Sequence, residues 1–432
     1  MATKLRDLGS SVKPGLAVLE KGTPMPEAPA WKFQKIIKPM FDDAKPHVLL
    51  RGRVFTGVGD TVLEDGVVEL EGGTIKAVGA SSDFGSRLED AQVTNGTVLP
   101  GLINSHAHLA WDGIHDLAQQ SIYDPPQVSA YKCAGNMLVS LRAGITTVRD
   151  LGMHDTNLFA KQAVEQGIFP GPRVLACGAA IVQTGGHTYW ACREASGPDE
   201  MRRAVREQVR AGADLIKIMA SHDLNEFTDE ELHAVVDETH RNGLPITAHA
   251  TFNSVIYRVA QAGVDCIEHG GDMMDETIAL ILERQIPIVT TFAPLVMQAQ
   301  AEVARQYNIP EWKIAERQKA VSSGVRFAGL VKAAQAGVTI GFGTDAGSPV
   351  VPHSVVAPEL EFMIRLGVKK NALDALHSAT SVAARINRVH DKIGTLEAGR
   401  VADVVVTAGK PDQDIGDVSR VNMVFVEGVR RV

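Results

Sequence analysis

His106 and His108 stand two residues apart at the end of an apolar run, Leu99-Pro-Gly-Leu-Ile-Asn-Ser-His-Ala-His-Leu109. In an extended segment, side chains two apart point to the same side, so both imidazoles can reach one metal ion. Taken alone, a His-x-His pair is more often two polar residues where a strand meets a loop. The rest of the chain supplies the other ligands that such a site needs. Lys217 lies in Gly212-Ala-Asp-Leu-Ile-Lys-Ile-Met219, and His249 in Thr247-Ala-His-Ala250. His269 lies in Ile267-Glu-His-Gly270, and Asp345 in Gly343-Thr-Asp-Ala-Gly347. Each has an ordinary reading by itself: a lysine bent to solvent, a hydrogen-bonded histidine, a capping aspartate. Together they are the nitrogen and oxygen donors of a divalent-cation site. Lys217 is the odd member, because Ile216 and Ile218 flank it and a bare buried ammonium is costly.

These residues need elements that bring them to one place. Short apolar runs at Val98–Ile103, Thr146–Arg149, Arg173–Cys177, Leu215–Met219, Pro245–Ala248, Asp265–Glu268, Pro287–Thr291 and Thr339–Gly343 read as strands. Helical patterns alternate with them: Ala130–Ala143, Phe159–Gln166, Pro198–Ala211, Asp229–Asn242, Asn253–Ala262, Asp275–Arg284 and a longer one over 311–336. Thr228 and Glu231 form a capping-box pattern. Glycines such as Gly212 and Gly263 sit where helices stop. The fold class is therefore α/β, with a (β/α)₈ TIM barrel over 98–394 and its ligands at the C-terminal strand ends. A doubly wound open sheet would bring a glycine-rich phosphate loop after its first strand, and none is present. Short alternating runs at 47–97 and 395–432 predict a small β-sandwich domain built from both chain ends. Residues 1–46 are proline-rich and read as an extension. Trp31, Phe33 and Phe41 suit it to packing on another subunit of a homo-oligomer.

Composition excludes several classes of function. The 432 residues carry a formal net charge of -8 and no Lys/Arg cluster, which argues against nucleic acid as a partner. Four scattered cysteines form no C-x-x-C pair, which suits a reducing compartment and a cytoplasmic location. No apolar run reaches the roughly 18 to 20 residues of a membrane span.

The joint His-x-His, Lys, His, His, Asp pattern over 47–432 resembles the amidohydrolase superfamily. The likeness is to the branch that holds imidazolonepropionase-like, Xaa-Pro dipeptidase-like and ochratoxinase-like proteins. The closing Ile393-Gly-Thr-Leu-Glu-Ala-Gly-Arg-Val-Ala-Asp403 belongs to the same resemblance. It implies a binuclear metal centre. His106 and His108 would hold one ion with Asp345, His249 and His269 the second, and Lys217, carboxylated by CO₂, would bridge them. Zn²⁺ suits these ligands, and Co²⁺, Mn²⁺ and Ni²⁺ can also bind them. The implied reaction is hydrolysis of an amide C–N bond by metal-activated hydroxide, with Asp345 as base and then acid. Glu268 and Asp150 are candidate supporting carboxylates.

The small-molecule amide substrate is less legible. The resemblance gives His187, in Gln183-Thr-Gly-Gly-His187, a polarising or substrate-binding role. Trp111, Tyr189 and Phe292 are candidate walls of an apolar pocket, with Trp190. Arg193, Arg149 and His222 are candidate partners for a substrate carboxylate. The substrate classes implied are an N-acyl amino acid, an Xaa-Pro-type dipeptide or an ochratoxin-like aromatic amide. The segment after Lys217, Ala220-Ser-His-Asp-Leu-Asn-Glu-Phe227, departs from the Gly-Gly stretch and longer loop common in relatives, with His222 in place of a glycine. That departure points away from dipeptides and towards a xenobiotic amide, carbamate or urea. Cyclic-amide hydrolysis is the alternative that Lys217 argues against, and an esterase or lactonase remains open to the same chemistry.

Overall fold

The computed structural model describes residues 44–432 except 114, 115, 153, 222–225, 325 and 326. Most of the extension expected over 1–46, including Trp31, Phe33 and Phe41, lies outside the described residues, and so does His222.

Parallel strands follow one another in chain order: β1 (Leu102–Ala107), β2 (Ile145–Asp150), β3 (Arg173–Ala176), β4 (Ile216–Met219), β5 (Ile246–Ala250), β6 (Cys266–His269), β7 (Ile288–Thr290) and β8 (Ile340–Phe342). β1 pairs with β2 and β2 with β3; β4 to β8 pair each with the next. Two seams join these runs into a barrel. At one, Asp214 N–H donates to the Ala176 carbonyl at 2.8 Å, and Ile181–Val182 pairs with β4 at Ile218 and Met219. At the other, Asp345 N–H donates to the His106 carbonyl at 2.9 Å and His108 N–H to the Ala346 carbonyl at 2.8 Å. Candidate site residues thus form the seam that closes the barrel between β8 and β1.

The helices between strands start and stop for local reasons. Thr228 Oγ1 accepts from Glu231 N–H, and the Glu231 carboxylate accepts from Thr228 N–H, so the capping box opens helix Asp229–Arg241. Gly212 and Gly263 end their helices at φ 96° and 94°, a region where a side chain is disfavoured. The long helix expected over 311–336 is two, Glu311–Ser323 and Ala328–Gln335. The first stops at Gly324, whose φ of 65° cannot continue a right-handed helix. Among the described residues, no helix is long and apolar enough to cross a membrane.

Both chain ends build the small β domain. Strands Val48–Phe55, Val62–Glu71, Thr74–Ala80 and Gln92–Pro100 join Val404–Ala408, Val421–Val426 and Val429–Arg430 in one seven-stranded sheet. Its buried cluster unites Ile75 near one edge with Phe425 near the other, so the sheet curls over its own core. The strand expected over Val98–Ile103 divides. Val98 to Pro100 pair antiparallel with Val404 to Val406, whereas Leu102 opens β1. Gly101 makes the turn between the two sheets, and a Cβ there would lie 2.0 Å from Thr146 Oγ1. No other residue fits that approach.

Candidate metal centre

β1 delivers His106 and His108 from one extended segment, as their spacing requires. Both are buried, with ring centroids 5.3 Å apart. The His106 ring lies 4.7 Å from His269, His269 lies 4.4 Å from His249, and His249 lies 4.7 Å from His187. Asp345 Oδ1 sits 3.1 Å from His108 Nε2 and 3.6 Å from His106 Nε2. One ligand atom from each of His106, His269 and Asp345 falls within 4.8 Å of the others. These side chains and Lys217 of β4 line a common cavity of about 220 Å³. The barrel therefore gathers every residue of the joint pattern at one mouth.

Burial fixes the charges of the set. It holds the His106 and His249 imidazoles well below the ordinary histidine range, and takes His269 down to about 4. They are neutral at pH 7, with lone pairs free to coordinate. Burial pushes the Asp345 carboxyl up, but the His108 hydrogen bond, with the electrostatic pull of the surrounding imidazoles, outweighs it. The net effect holds Asp345 below the usual carboxylate range, so it is an anion. Lys217 is 1% exposed, and desolvation lowers its pKa against the opposing pull of Glu268. Its Nζ makes no hydrogen bond or salt bridge among the described residues.

Further carboxylates hold the imidazoles in place. His106 Nδ1 pairs with Glu268 Oε2 at 2.7 Å. Glu268 Oε1 accepts from Arg149 Nη2 at 2.6 Å and from Thr247 Oγ1, and Arg149 Nε donates to the Ser105 carbonyl. His108 Nδ1 donates to the Gly152 carbonyl at 3.2 Å. Asp150 fixes that carbonyl's segment by accepting from Gly152 N–H at 3.0 Å, Asn157 Nδ2 at 2.8 Å and Leu109 N–H at 2.7 Å. With Nδ1 engaged, His106 and His108 turn Nε2 towards Asp345 and the cavity. Orientation through the second ring nitrogen is the usual support of a metal-ligating histidine. Neutral imidazoles, one anionic carboxylate and an unpartnered buried amine facing the same space fit a divalent-cation site.

Residues 97–431 match the model of the family described as Amidohydrolase family. The chain belongs to the amidohydrolase family. It is a hydrolase acting on C–N bonds. It is 28% identical over 417 residues to ochratoxinase of Aspergillus niger, covering 87% of this chain and 83% of that enzyme. The crystal structure of a Xaa-Pro dipeptidase with methionine in its active site matches with a TM-score of 0.77. That pair is 29% identical over 89% of this chain and 99% of the other. The crystal structure of A. niger ochratoxinase matches with a TM-score of 0.75 at 26% identity, over 89% of this chain and 95% of the other.

This amidohydrolase directs some of the expected substrate contacts elsewhere. His187 and Trp111 line the cavity. Trp111 stacks 4.6 Å from His108 and 5.9 Å from Trp190, with its indole N–H held by Ser121 Oγ at 3.0 Å. Tyr189, next in the same segment, is 49% exposed and is not among the lining residues. Arg193 is bound to Glu207 and Glu200 on helix Pro198–Ala211 and to the Glu194 carbonyl, so its charge is already matched. Arg149 points into the barrel interior at Glu268. Phe292 is buried between Phe327 and Phe362, with ring centroids 5.0 and 5.1 Å away. The remaining walls include Leu117, Leu151, Ala180, Ala191, Cys192 and Met219, none of which was singled out in the sequence.

Proposed function

We propose that this amidohydrolase cleaves the amide C–N bond of an N-acyl amino acid, Xaa-Pro-type dipeptide or ochratoxin-like aromatic amide at a centre of two divalent cations. His106, His108 and Asp345 would hold one, His249 and His269 the other, and a carboxylated Lys217 both. The observation that carries this reading is Lys217. Burial without a hydrogen bond lowers the pKa of this amine and so favours its neutral form, which is the form that adds CO₂. The product is an anion suited to two cations, where an ammonium would repel them. Zn²⁺ suits this nitrogen and oxygen set.

When bound, divalent cations let water ionise near neutral pH and polarise a carbonyl oxygen. The chain's own groups do the rest. Asp345, held as an anion, accepts a proton from the attacking water and returns it to the departing amine nitrogen. His187 faces the cavity beside His249, where it can hydrogen-bond the carbonyl of the scissile amide. Trp111, Leu117, Leu151 and Met219 exclude water and favour an apolar or aromatic substituent.

The test is a set of purified-enzyme assays with N-acetyl-L-phenylalanine, a Xaa-Pro dipeptide, an aryl amide, a carbamate, a urea, an ester and a cyclic amide. Release of equal amounts of acid and amine, lost after chelation and regained with Zn²⁺, supports the reading. Turnover of esters or cyclic amides alone would overturn it.

A further inference from the structure

His187 is delivered by a turn, Gly185-Gly186-His187, that has no strand or helix to hold it. Two carboxylates hold it instead. Gly185 N–H donates to Glu194 Oε1 at 2.8 Å. His187 N–H donates to both oxygens of Glu226, at 2.9 and 3.1 Å. Gly186 leaves room for that carboxylate, since a Cβ on it would lie 2.3 Å from Glu226 Oε2. Glu226 itself stands on firm ground. Its N–H donates to the Ala220 carbonyl at 3.3 Å, Phe227 is buried, and Thr228 caps the next helix. Glu226 thus reaches from the segment after β4 to the segment after β3.

We infer that Glu226 is a positioning residue that sets His187 over the cavity. Glu226 is not among the residues that line the cavity. It acts by fixing the His187 backbone, and with it the direction in which the ring leaves the turn. Glu226, next to the buried Phe227 and the Thr228 cap, thereby ties the position of His187 to the start of helix Asp229–Arg241. This inference rests on the role proposed above for His187.

The experiment is a double-mutant cycle of Glu226→Ala and His187→Ala, assayed with N-acetyl-L-phenylalanine or whichever probe amide of the set above is turned over. Metal content and hydrogen–deuterium exchange of segment 185–188 are measured alongside. Glu226→Ala should lower kcat/KM by about 10- to 100-fold, the scale of a misplaced group near the chemistry. It should speed exchange in 185–188 and leave metal content unchanged. Glu226→Gln, which keeps one acceptor oxygen, should recover most of the rate. In the His187→Ala background the loss from Glu226→Ala should disappear. If Glu226→Ala does not fold, Gly186→Ala, which pushes the carboxylate away, should show the same non-additivity. Additive losses, or wild-type kinetics for Glu226→Ala, would overturn the inference. A wild-type rate for His187→Ala would instead remove the role of His187 itself.

Discussion

His269 and Asp345 both sit in left-handed backbone, at φ 69° and 55°. Such conformations cost roughly 1–3 kcal/mol each and persist where surrounding structure insists on them. Here they turn the chain sharply at the ends of β6 and β8 and aim each side chain into the cavity. Asparagine tolerates that backbone as well as aspartate does. Asp345→Asn should therefore melt close to wild type while turnover falls by about 10²- to 10⁴-fold, the range for a lost acid–base group. Near-normal turnover in a folded Asp345→Asn would remove its proton role. Glu268 predicts a different pattern. Glu268→Gln weakens the support of His106 and leaves Arg149 buried without its counter-ion. Metal affinity should fall by about 10- to 100-fold, and stability by about 3–5 kcal/mol. Adding Arg149→Met should restore stability but not affinity, as read by melting and metal titration; joint recovery of both would make Glu268 purely structural. The histidines and Asp345 were legible because each stands at the end of an apolar run, and Lys217 because it interrupts one. Phe292 and Arg193 were not. An aromatic at a strand end has the same sequence signature whether it turns to a cavity or, as here, to Phe327 and Phe362. For Arg193 a signal did exist. Glu200 and Glu207 are seven residues apart on one helix face and so could both reach it.

Between elements, the most exposed test of the packing is Glu359. It lies on helix Ala357–Leu366, is fully buried, and accepts from Thr290 Oγ1 at 3.1 Å and Ala293 N–H at 2.6 Å. Burial pushes its carboxyl up to about 8 from an ordinary 4.5. The folded protein therefore holds a proton there that the unfolded chain releases above about pH 4.5. Its contribution to stability is full below that pH and is lost as pH rises towards about 8. Glu359→Gln keeps the shape and abolishes the titration. Melting temperature should fall less for the variant than for the parent between these limits, and equal slopes would refute the buried proton. The elements themselves were largely readable, since β4 to β8 each pair a short apolar run with a following amphipathic helix. Two boundaries were not. Pro100-Gly101 ends one strand and begins another in a different sheet, and local hydrophobicity runs through it without change. Gly324 breaks a helical pattern that periodicity alone continues, because a single left-handed residue leaves the surrounding apolar spacing intact.

For the whole molecule, site and fold are one structure. The backbone hydrogen bonds from Asp345 and His108 that close the barrel belong to residues that face the cavity. Ions held between His106, His108 and Asp345 would clamp the β8–β1 seam, so their removal should lower the melting temperature of the entire barrel. The architecture was legible from the alternation of strands and helices. The joining of the two chain ends was legible from their shared β texture, but the strand order of the curled sheet was not, because the order of pairing leaves no local trace. The central claim is the double-cation centre with its bridging lysine, and the most direct measurement is metal content per chain in protein purified without chelator. About two divalent ions per chain, with both lost in Lys217→Ala, is the predicted result. One ion or none, with Lys217→Ala unchanged from the parent, would contradict it.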